Sequence, residues 1–271
     1  MKIIINDDFD LYKIAYSGQC FRVRELSKNK FRFITGNHVV DIEDCGEFLE
    51  VSTDENEWNL VWKEYFDLNT NYEAIRKTIP SNDIYLLQSA AIGEGIRILK
   101  QDKFEMLISF IISQRKSIPA IKSSVEKLCR KYGSKLAELE GEIIYAFPTP
   151  KNLSEATEDE LKECGLGYRV PYIINAANMV YHNEVDLDKL SLLDDESLFE
   201  ELKKFYGVGD KVSNCVCLFA YHRTALAPVD TWINKVINSQ YNGVNPFPGY
   251  GNVAGIMQQY IFFAAQHEHE L

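Results

Sequence analysis

Residues 205–214 read Phe-Tyr-Gly-Val-Gly-Asp-Lys-Val-Ser-Asn, and this stretch indicates the fold more directly than any other. Two glycines enclose one aliphatic residue between two segments of helical character. Residues 160–170, Glu-Leu-Lys-Glu-Cys-Gly-Leu-Gly-Tyr-Arg-Val, repeat the same order. One interpretation is a pair of tight helix–helix turns. The other is a helix-hairpin-helix, in which glycine lets the backbone N–H groups that begin the second helix approach a phosphate closely.

The composition sets limits on the kind of protein. The chain has 271 residues, of which 46% are hydrophobic and 25% charged, values that exclude a disordered or fibrous chain. A net charge of −11 argues against coating nucleic acid by bulk charge, so a nucleic-acid interpretation needs a local basic patch. The longest apolar run, residues 106–112, is too short to span a bilayer, and the N-terminus turns acidic after three isoleucines, unlike a signal peptide. We therefore expect a cytoplasmic protein.

The hydrophobic pattern predicts an α+β fold in two parts. Residues 1–82 form a small N-terminal antiparallel β domain with flanking helices, and residues 83–271 form a mostly α-helical body. Gly36-Asn37 is a hairpin signal, and almost no strand is expected after the first domain. The predicted strands are 2–5, 21–26, 31–35, 38–42 and 48–53. The predicted helices include a buried central helix at 104–113, and 117–132, 195–205, 211–222, 231–240 and 253–265.

The cysteines do not indicate a metal site. None of the six forms a Cys-x-x-Cys pair, so we expect free and mostly buried thiols in a reducing compartment. His267 and His269 could chelate an ion, but a solvated chain end is the favoured interpretation.

Lys211 is the first candidate for chemistry. It stands two residues after Gly209, where the helix dipole disfavours a cation and so favours the neutral amine. A neutral amine is a nucleophile that can form a Schiff base. The alternative is a lysine that only contacts phosphate.

Asp230 is the second candidate. Pro228 enforces extended backbone just before it, and Asp230 then begins a helix. An N-cap is the simplest role for this carboxylate. A carboxylate that faces a lysine across a cleft would also stabilise a cationic sugar transition state, and the two roles are compatible.

These two segments resemble the helix-hairpin-helix DNA glycosylase superfamily, and within it the 8-oxoguanine DNA glycosylases that pair a catalytic lysine with an aspartate. The resemblance runs nearly end to end through separated motifs in the right order. The motifs are Ser17-Gly-Gln-Cys-Phe-Arg22, Ile98-Leu-Lys-Gln-Asp102 with Phe110-Ile-Ile-Ser-Gln114, Gly165-Leu-Gly-Tyr-Arg169, Phe205 to Leu218, Ala227-Pro-Val-Asp230, and Ala254-Gly255 with Gln258 and Phe262.

The resemblance implies a bifunctional DNA glycosylase and AP lyase that acts on double-stranded DNA containing 8-oxoguanine. Lys211 would attack C1′ of the damaged nucleotide, and Asp230 would stabilise the developing positive charge. The chain would act as a monomer without a required cofactor and away from membranes, with the nucleoid if it is bacterial. A monovalent cation at the hairpin is a further expectation.

The resemblance also implies a pocket for the lesion. The Gly18 carbonyl would accept a hydrogen bond from N7–H of 8-oxoguanine, which guanine lacks. Gln258 would bind the Watson–Crick edge, and Phe262 and Cys215 would enclose the base. Pro228 completes the set. Without the resemblance, Phe262 reads as core and Gln258 as a solvent-facing residue.

Contacts to the DNA are expected from the two turns and the segment after the central helix. Tyr168 would wedge into the base stack and Arg169 would touch the opposite strand, although alone they read as a surface pair. The remaining predicted DNA-binding residues are Arg115, Lys116, Gly207, Val208 and Gly209. Ten basic residues form the expected local patch: Arg97, Lys100, Lys103, Arg115, Lys116, Lys122, Lys127, Arg130, Lys131 and Lys135.

Some residues depart from the family pattern. Arg115 and Lys116 stand where many relatives have paired asparagines, Ala120 where eukaryotic members have an arginine, and Trp232 where they have a histidine. These changes predict a weak preference for cytosine opposite the lesion.

Two other functions remain open at this point. One is a related glycosylase for alkylated or other oxidised bases. The other is a non-catalytic DNA-binding protein, because helix-hairpin-helix units also serve only as phosphate clamps.

Overall fold

The N-terminal part of the chain is a five-stranded antiparallel sheet in the order β1-β5-β4-β3-β2. The structure, a computed structural model, describes residues 1–267, so His269 lies outside the described residues. Thr35 pairs with His38, which confirms the predicted Gly36-Asn37 hairpin. The strands are β1 Lys2–Ile3, β2 Arg24–Ser27, β3 Lys30–Thr35, β4 His38–Asp44 and β5 Leu49–Val51.

The rest of the described chain is mainly helical, which confirms the predicted α+β class. Between α2 and α3 the chain forms a π-helical turn, Trp58–Trp62. Short 3-10 segments lie at Gly167–Arg169, Lys189–Leu192 and Phe247–Val253. The α-helices are α1 Leu11–Tyr16, α2 Glu55–Glu57, α3 Lys63–Tyr65, α4 Tyr72–Arg76, α5 Ile84–Ile92, α6 Lys103–Ser113, α7 Ile118–Tyr132, α8 Pro150–Ser154, α9 Glu158–Glu163, α10 Val170–Tyr181, α11 Asp195–Leu202, α12 Asp210–Phe219, α13 Thr231–Gln240 and α14 Ala254–His267.

A second β-hairpin lies inside the helical body and corrects the expectation that strands end with the first domain. Strands β6 Lys135–Leu139 and β7 Glu142–Tyr145 pair around Glu140-Gly141. Both turn residues have positive φ, 52° and 80°, as a tight hairpin requires. Lys, Leu, Ala and Glu are good helix formers, so the local composition of β6 hides this strand.

Helix α6 is the centre of the body, as predicted. Every residue from Phe104 to Ser113 is buried, and Asp102 caps the helix by accepting from the Glu105 N–H at 2.8 Å. Burial of each of its large aliphatic side chains stabilises the fold by about 2 kcal/mol. The helix therefore fixes the position of its last residues, which border the site described below.

Two buried hydrophobic clusters support the two parts of the chain. They interlock, because Phe21 packs in the cluster of the helical body and Leu99 in that of the sheet. The division at residues 82 and 83 stays a prediction. None of the helices within residues 1–267 has the length and apolar character needed to cross a membrane.

Candidate active site

Lys211 is the second residue of α12 and follows directly on the Gly207–Gly209 turn. Its side chain is half-buried, and Nζ donates a hydrogen bond to Ser113 Oγ at 3.1 Å. Nζ also lies 5.3 Å from the centre of the Phe110 ring. Among residues 1–267, no carboxylate forms an ion pair with this amine within 4.0 Å. The amine is thus held in place without being neutralised by a carboxylate.

Asp230 is the N-cap of α13. Its Oδ1 accepts from the Ile233 N–H at 2.9 Å, which confirms the cap predicted from sequence. Pro228, two residues earlier, is buried. The carboxylate borders the same recess as Lys211, so one residue both caps a helix and lines the recess.

A recess beside Lys211 brings together residues from distant parts of the sequence. Seven predicted site residues line it: Gly18, Lys211, Cys215, Pro228, Asp230, Gln258 and Phe262. Ser17, Phe110, Phe219 and Gln259 complete the walls. A wider cleft opens from the recess past Ser113, Arg115, Lys116 and Trp232. The amine therefore lies where a narrow pocket meets an open groove.

The backbone and the packing at Gly18 both favour glycine. Its φ is +77°, which L-residues rarely adopt. A Cβ built there would also stand 2.9 Å from the Phe262 ring and 3.2 Å from the Ile118 side chain. Backbone rather than side chain therefore forms this wall of the recess.

Gln258 is buried, with 4% of its surface exposed, so the solvent-facing alternative is wrong. Its Oε1 accepts no hydrogen bond from residues 1–267 although it is buried. An unpaired buried amide oxygen costs about 1–3 kcal/mol, a cost that a ligand with a donor group would remove. Phe262 follows one helical turn later on α14 and borders the same recess, half-buried rather than in the core.

Cys215 supplies an apolar part of the wall. Burial raises the pKa of its thiol, while the nearby Lys211 opposes that shift. The neutral sulfur therefore presents a soft surface to the recess. All six cysteines are free, and only Cys45 is exposed, which confirms the expectation from sequence.

Sequence reasoning did not assign roles to two glutamines that hold the Gly18 wall. Gln259 Nε2 donates to the Ser17 carbonyl. Gln19 Nε2 donates to Ser17 Oγ and to the Arg97 carbonyl, each at 2.8 Å, while its Oε1 accepts from the Leu99 N–H. Adjacent amides at 258 and 259 give no signal of which one faces the recess, because that depends on how α14 packs.

The segment after α6 joins the two glycine turns. Gln114 Nε2 donates to the Gly207 carbonyl at 3.2 Å. The Arg169 guanidinium donates to the Gln114 carbonyl, with Nε at 3.0 Å. Lys116 Nζ donates to the Gly165 carbonyl at 2.6 Å and also to Ser124 Oγ. One short segment therefore fixes both turns relative to each other.

The two predicted wedge residues differ in exposure. Tyr168 is 50% exposed, whereas Arg169 is 6% exposed and is occupied by backbone carbonyls. They are therefore not the surface pair that the local sequence suggests. Contact of Arg169 with a second DNA strand stays a prediction.

The expected basic patch is largely wrong, because most of its members pair with carboxylates. Arg97 is fully buried and bound to Asp7, and Lys100 pairs with Asp67. The other paired members are Lys103, Arg130, Lys131 and Lys135. Within residues 1–267, the four without an ion pair inside 4.0 Å are Arg115, Lys116, Lys122 and Lys127. The unpaired basic residues are thus confined to the segment after α6 and to the first two thirds of α7.

The fold and the site define the class. A lysine that opens the second helix of a glycine hairpin, opposite a capping aspartate, is the arrangement that the sequence resemblance predicts. Residues 108–260 match the family model described as HhH-GPD superfamily base excision DNA repair protein, and the chain belongs to this superfamily. Residues 2–107 match the N-terminal domain of 8-oxoguanine DNA glycosylase.

Individual relatives agree with this placement. An 8-oxoguanine glycosylase/lyase from Clostridium acetobutylicum, solved with double-stranded DNA containing cytosine opposite 8-oxoG, is 37% identical, with 99% of this chain and 98% of that chain covered and a TM-score of 0.92. The N-glycosylase/DNA lyase of Saccharomyces cerevisiae is 32% identical over 74% of this chain. The chain spans 54% of that protein's length. A probable N-glycosylase/DNA lyase of Methanothermobacter thermautotrophicus is 29% identical over 73% of this chain and 71% of its own length.

Proposed function

We propose that this protein excises 8-oxoguanine from duplex DNA and then cleaves the strand as an AP lyase. The observation that carries the proposal is the position of Lys211, whose amine borders a recess walled by Gly18, Gln258 and Phe262 and faced by Asp230. The relative from Clostridium, which this chain matches over nearly its full length, supports the same substrate. The proposed reaction needs no cofactor. The protein would act in the cell compartment that contains the DNA.

The chemistry follows from the amine. The Nζ lone pair of Lys211 forms a bond to C1′ as the C1′–N9 bond breaks, and the base leaves with that electron pair and gains a proton. Asp230 stabilises the positive charge that develops on the sugar. The C1′–O4′ bond then breaks, O4′ takes a proton, and Nζ loses a proton as its bond to C1′ becomes an imine. Loss of a C2′ proton expels the 3′ phosphate by β-elimination, and hydrolysis of the imine releases the lysine.

Recognition of the lesion requires it to leave the duplex and enter the recess. The Gly18 carbonyl accepts from N7–H of 8-oxoguanine and opposes guanine, whose N7 is an acceptor. An unmatched buried acceptor costs about 1–3 kcal/mol. The buried Gln258 Oε1 accepts from a donor on the Watson–Crick edge, and Phe262 stacks on the base.

Borohydride trapping tests the proposed reaction. The wild type is expected to form a covalent adduct with a duplex that contains 8-oxoguanine, and Lys211→Gln is expected to lose at least about 1,000-fold in adduct formation. An undamaged duplex is the matched control. No adduct with the wild type would favour the non-catalytic DNA-binding protein. Preferential trapping of a duplex that carries an alkylated or oxidised pyrimidine base would favour the other glycosylase.

The opposite-base preference is a second part of the proposal. Arg115 and Lys116 border the cleft in place of an asparagine pair, and Trp232 is 40% exposed at its edge. Ala120 offers no hydrogen-bonding group at the position where, by the family resemblance, eukaryotic members have an arginine that senses the opposite cytosine. We expect excision rates within about threefold for the four opposite bases, since a cytosine-specific bidentate contact would be worth about 1–3 kcal/mol. A strong preference for cytosine in single-turnover assays would contradict this.

A further inference from the structure

Ser113 is the last residue of α6 and lies against the amine of Lys211. It is buried, with 8% of its surface exposed. Its Oγ makes two hydrogen bonds, one with Lys211 Nζ at 3.1 Å and one with the Phe110 carbonyl at 2.7 Å. The lysine and the serine are 98 residues apart in sequence, so only the packing of α6 on α12 creates this contact.

The direction of each bond follows from the chemistry of the atoms. A carbonyl oxygen cannot donate, so the hydroxyl proton of Ser113 lies on the line to the Phe110 carbonyl. Ser113 Oγ can then only accept from the amine. The serine therefore cannot donate a proton to the amine lone pair and mask it.

Two other side chains lie close to Nζ. The Phe110 ring lies on one side, with its centre at 5.3 Å, and the Cys215 thiol lies nearby. Asp230 borders the recess without an ion pair to the amine inside 4.0 Å. A neutral amine has two N–H groups and one lone pair, so fixing one N–H on Ser113 restricts where the lone pair points.

We propose that Ser113 is a positioning residue for Lys211, which turns the lone pair of the amine into the recess. The inference rests on the proposed function, in which that lone pair attacks the sugar. Ser113 itself touches neither the base nor the sugar in this scheme, and it acts through the lysine alone.

The chain offers a matched control one helical turn earlier. Ser109 is on the same helix and is fully buried, and its Oγ has no hydrogen-bond partner within residues 1–267. Ser109→Ala and Ser113→Ala remove the same atom from the same helix, but only the second removes the acceptor for Lys211. Ser113→Thr keeps a hydroxyl that can bond back to a helical carbonyl.

The experiment measures single-turnover borohydride trapping on a duplex with one abasic site, which contains no base to recognise. Ser113→Ala is expected to trap roughly five- to tenfold more slowly than wild type, as loss of one hydrogen bond implies. DNA affinity, measured by fluorescence anisotropy, and the melting temperature should match those of Ser109→Ala. Ser113→Thr should recover to within about threefold of wild type.

The outcomes separate this inference from the proposed function. A wild type that forms no adduct overturns the proposed function. If the wild type traps and Ser113→Ala traps as fast as Ser109→Ala, only the positioning role is overturned. The same holds if slow trapping by Ser113→Ala is accompanied by an equal loss of DNA affinity or is not rescued by threonine.

Discussion

The turns Gly165–Gly167 and Gly207–Gly209 share a sequence pattern but differ in backbone geometry. In the first, both glycines have positive φ, 77° and 56°, and the chain continues into a 3-10 turn before α10. In the second, Gly207 has φ +81° whereas Gly209 is extended at φ −107° and is itself the N-cap of α12, with no side chain on the cap. The second turn therefore leads directly into α12, whose second residue is Lys211, and no side chain covers the first N–H groups of that helix.

The surroundings of the two turns also differ. A Cβ at Gly207 would lie 2.4 Å from the ring of Tyr172, whereas one at Gly167 would meet only the Arg169 guanidinium at 3.9 Å. Tyr172 belongs to α10, the helix that follows the first turn. The first turn thus delivers an aromatic ring that packs against the second. The first copy of the motif therefore supports the second through Tyr172, and the second copy precedes the helix that carries Lys211.

The largest effect is expected from a substitution that disrupts the second turn. Gly207→Ala adds strain at positive φ and a clash with Tyr172, so we expect a loss of about 3 kcal/mol in the free energy of unfolding. Gly167→Ala adds the strain without the clash and should cost about 1 kcal/mol. Urea denaturation of both variants makes the measurement. Equal losses would show that the close packing of the second turn does not matter.

The next effect concerns the far ends of the helices that follow the turns. After α12, His222 Nε2 lies 3.1 Å from the buried Asp67, while α10 ends at the exposed Tyr181 and His182. Burial would raise the pKa of Asp67, but the hydrogen bond and charge of His222, with Thr70 and Lys100, outweigh it and lower the pKa to about 2.

This lowered pKa predicts a pH dependence of stability. The ionised carboxylate stabilises the fold above its unfolded pKa of about 4, by about 2 kcal/mol, and this contribution is lost as the pH falls toward 2. Asp67→Asn should therefore destabilise the protein at pH 7 and flatten its acid unfolding between pH 4 and 2. Asp159→Asn, at a 92% exposed side chain, is the control. If Asp67→Asn lost stability between pH 4 and 2 as steeply as wild type, the ionised Asp67 would not be the source of this pH dependence.

A third variant tests whether the N-terminus of α12 binds DNA. No heavy atom lies within 4 Å of a Cβ built on Gly209, and its φ is accessible to any residue. Gly209→Ala should thus fold normally. Its added methyl group should block the approach of a DNA phosphate to the backbone N–H groups, which would weaken DNA affinity roughly tenfold. Gly249→Ala, also free of contacts, is the matched control. Equal affinity of the two variants in anisotropy titrations would remove the second turn from the DNA interface.

The smallest effect is expected from a substitution that removes hydrogen bonds to the first turn. Burial and the charges of Arg169 and Lys127 lower the pKa of Lys116, yet its amine still binds the Gly165 carbonyl and Ser124. Lys116→Met keeps the aliphatic stem and removes these bonds, for an expected loss of about 1 kcal/mol in the free energy of unfolding. Lys127→Met, at an exposed residue, should stay within about 0.5 kcal/mol of wild type. If Lys116→Met lost no more stability than Lys127→Met, the hydrogen bonds of Lys116 to the first turn would not contribute to stability.

Much of the fold was predictable because local rules agreed with tertiary packing. Asp230 caps α13 as predicted, and α13 has the predicted ends. The β6–β7 hairpin was missed because its residues favour helix, while its turn signal, Glu140-Gly141, is short. The basic patch failed because nearness in sequence does not show which lysines face carboxylates from other elements, as Lys103 faces Asp188.

The sequence by itself determined the class of fold, the superfamily and seven of the eleven residues that line the recess, because those depend on motifs whose order and spacing are local. The tertiary structure alone decided the different backbone geometries of two similar turns, that Gln258 keeps an unpaired buried oxygen while Gln259 binds the Ser17 carbonyl, and that Ser113 meets Lys211. The physical reason is distance along the chain. Hydrogen bonds and packing between residues about a hundred or more positions apart depend on how whole helices pack, which no local pattern encodes.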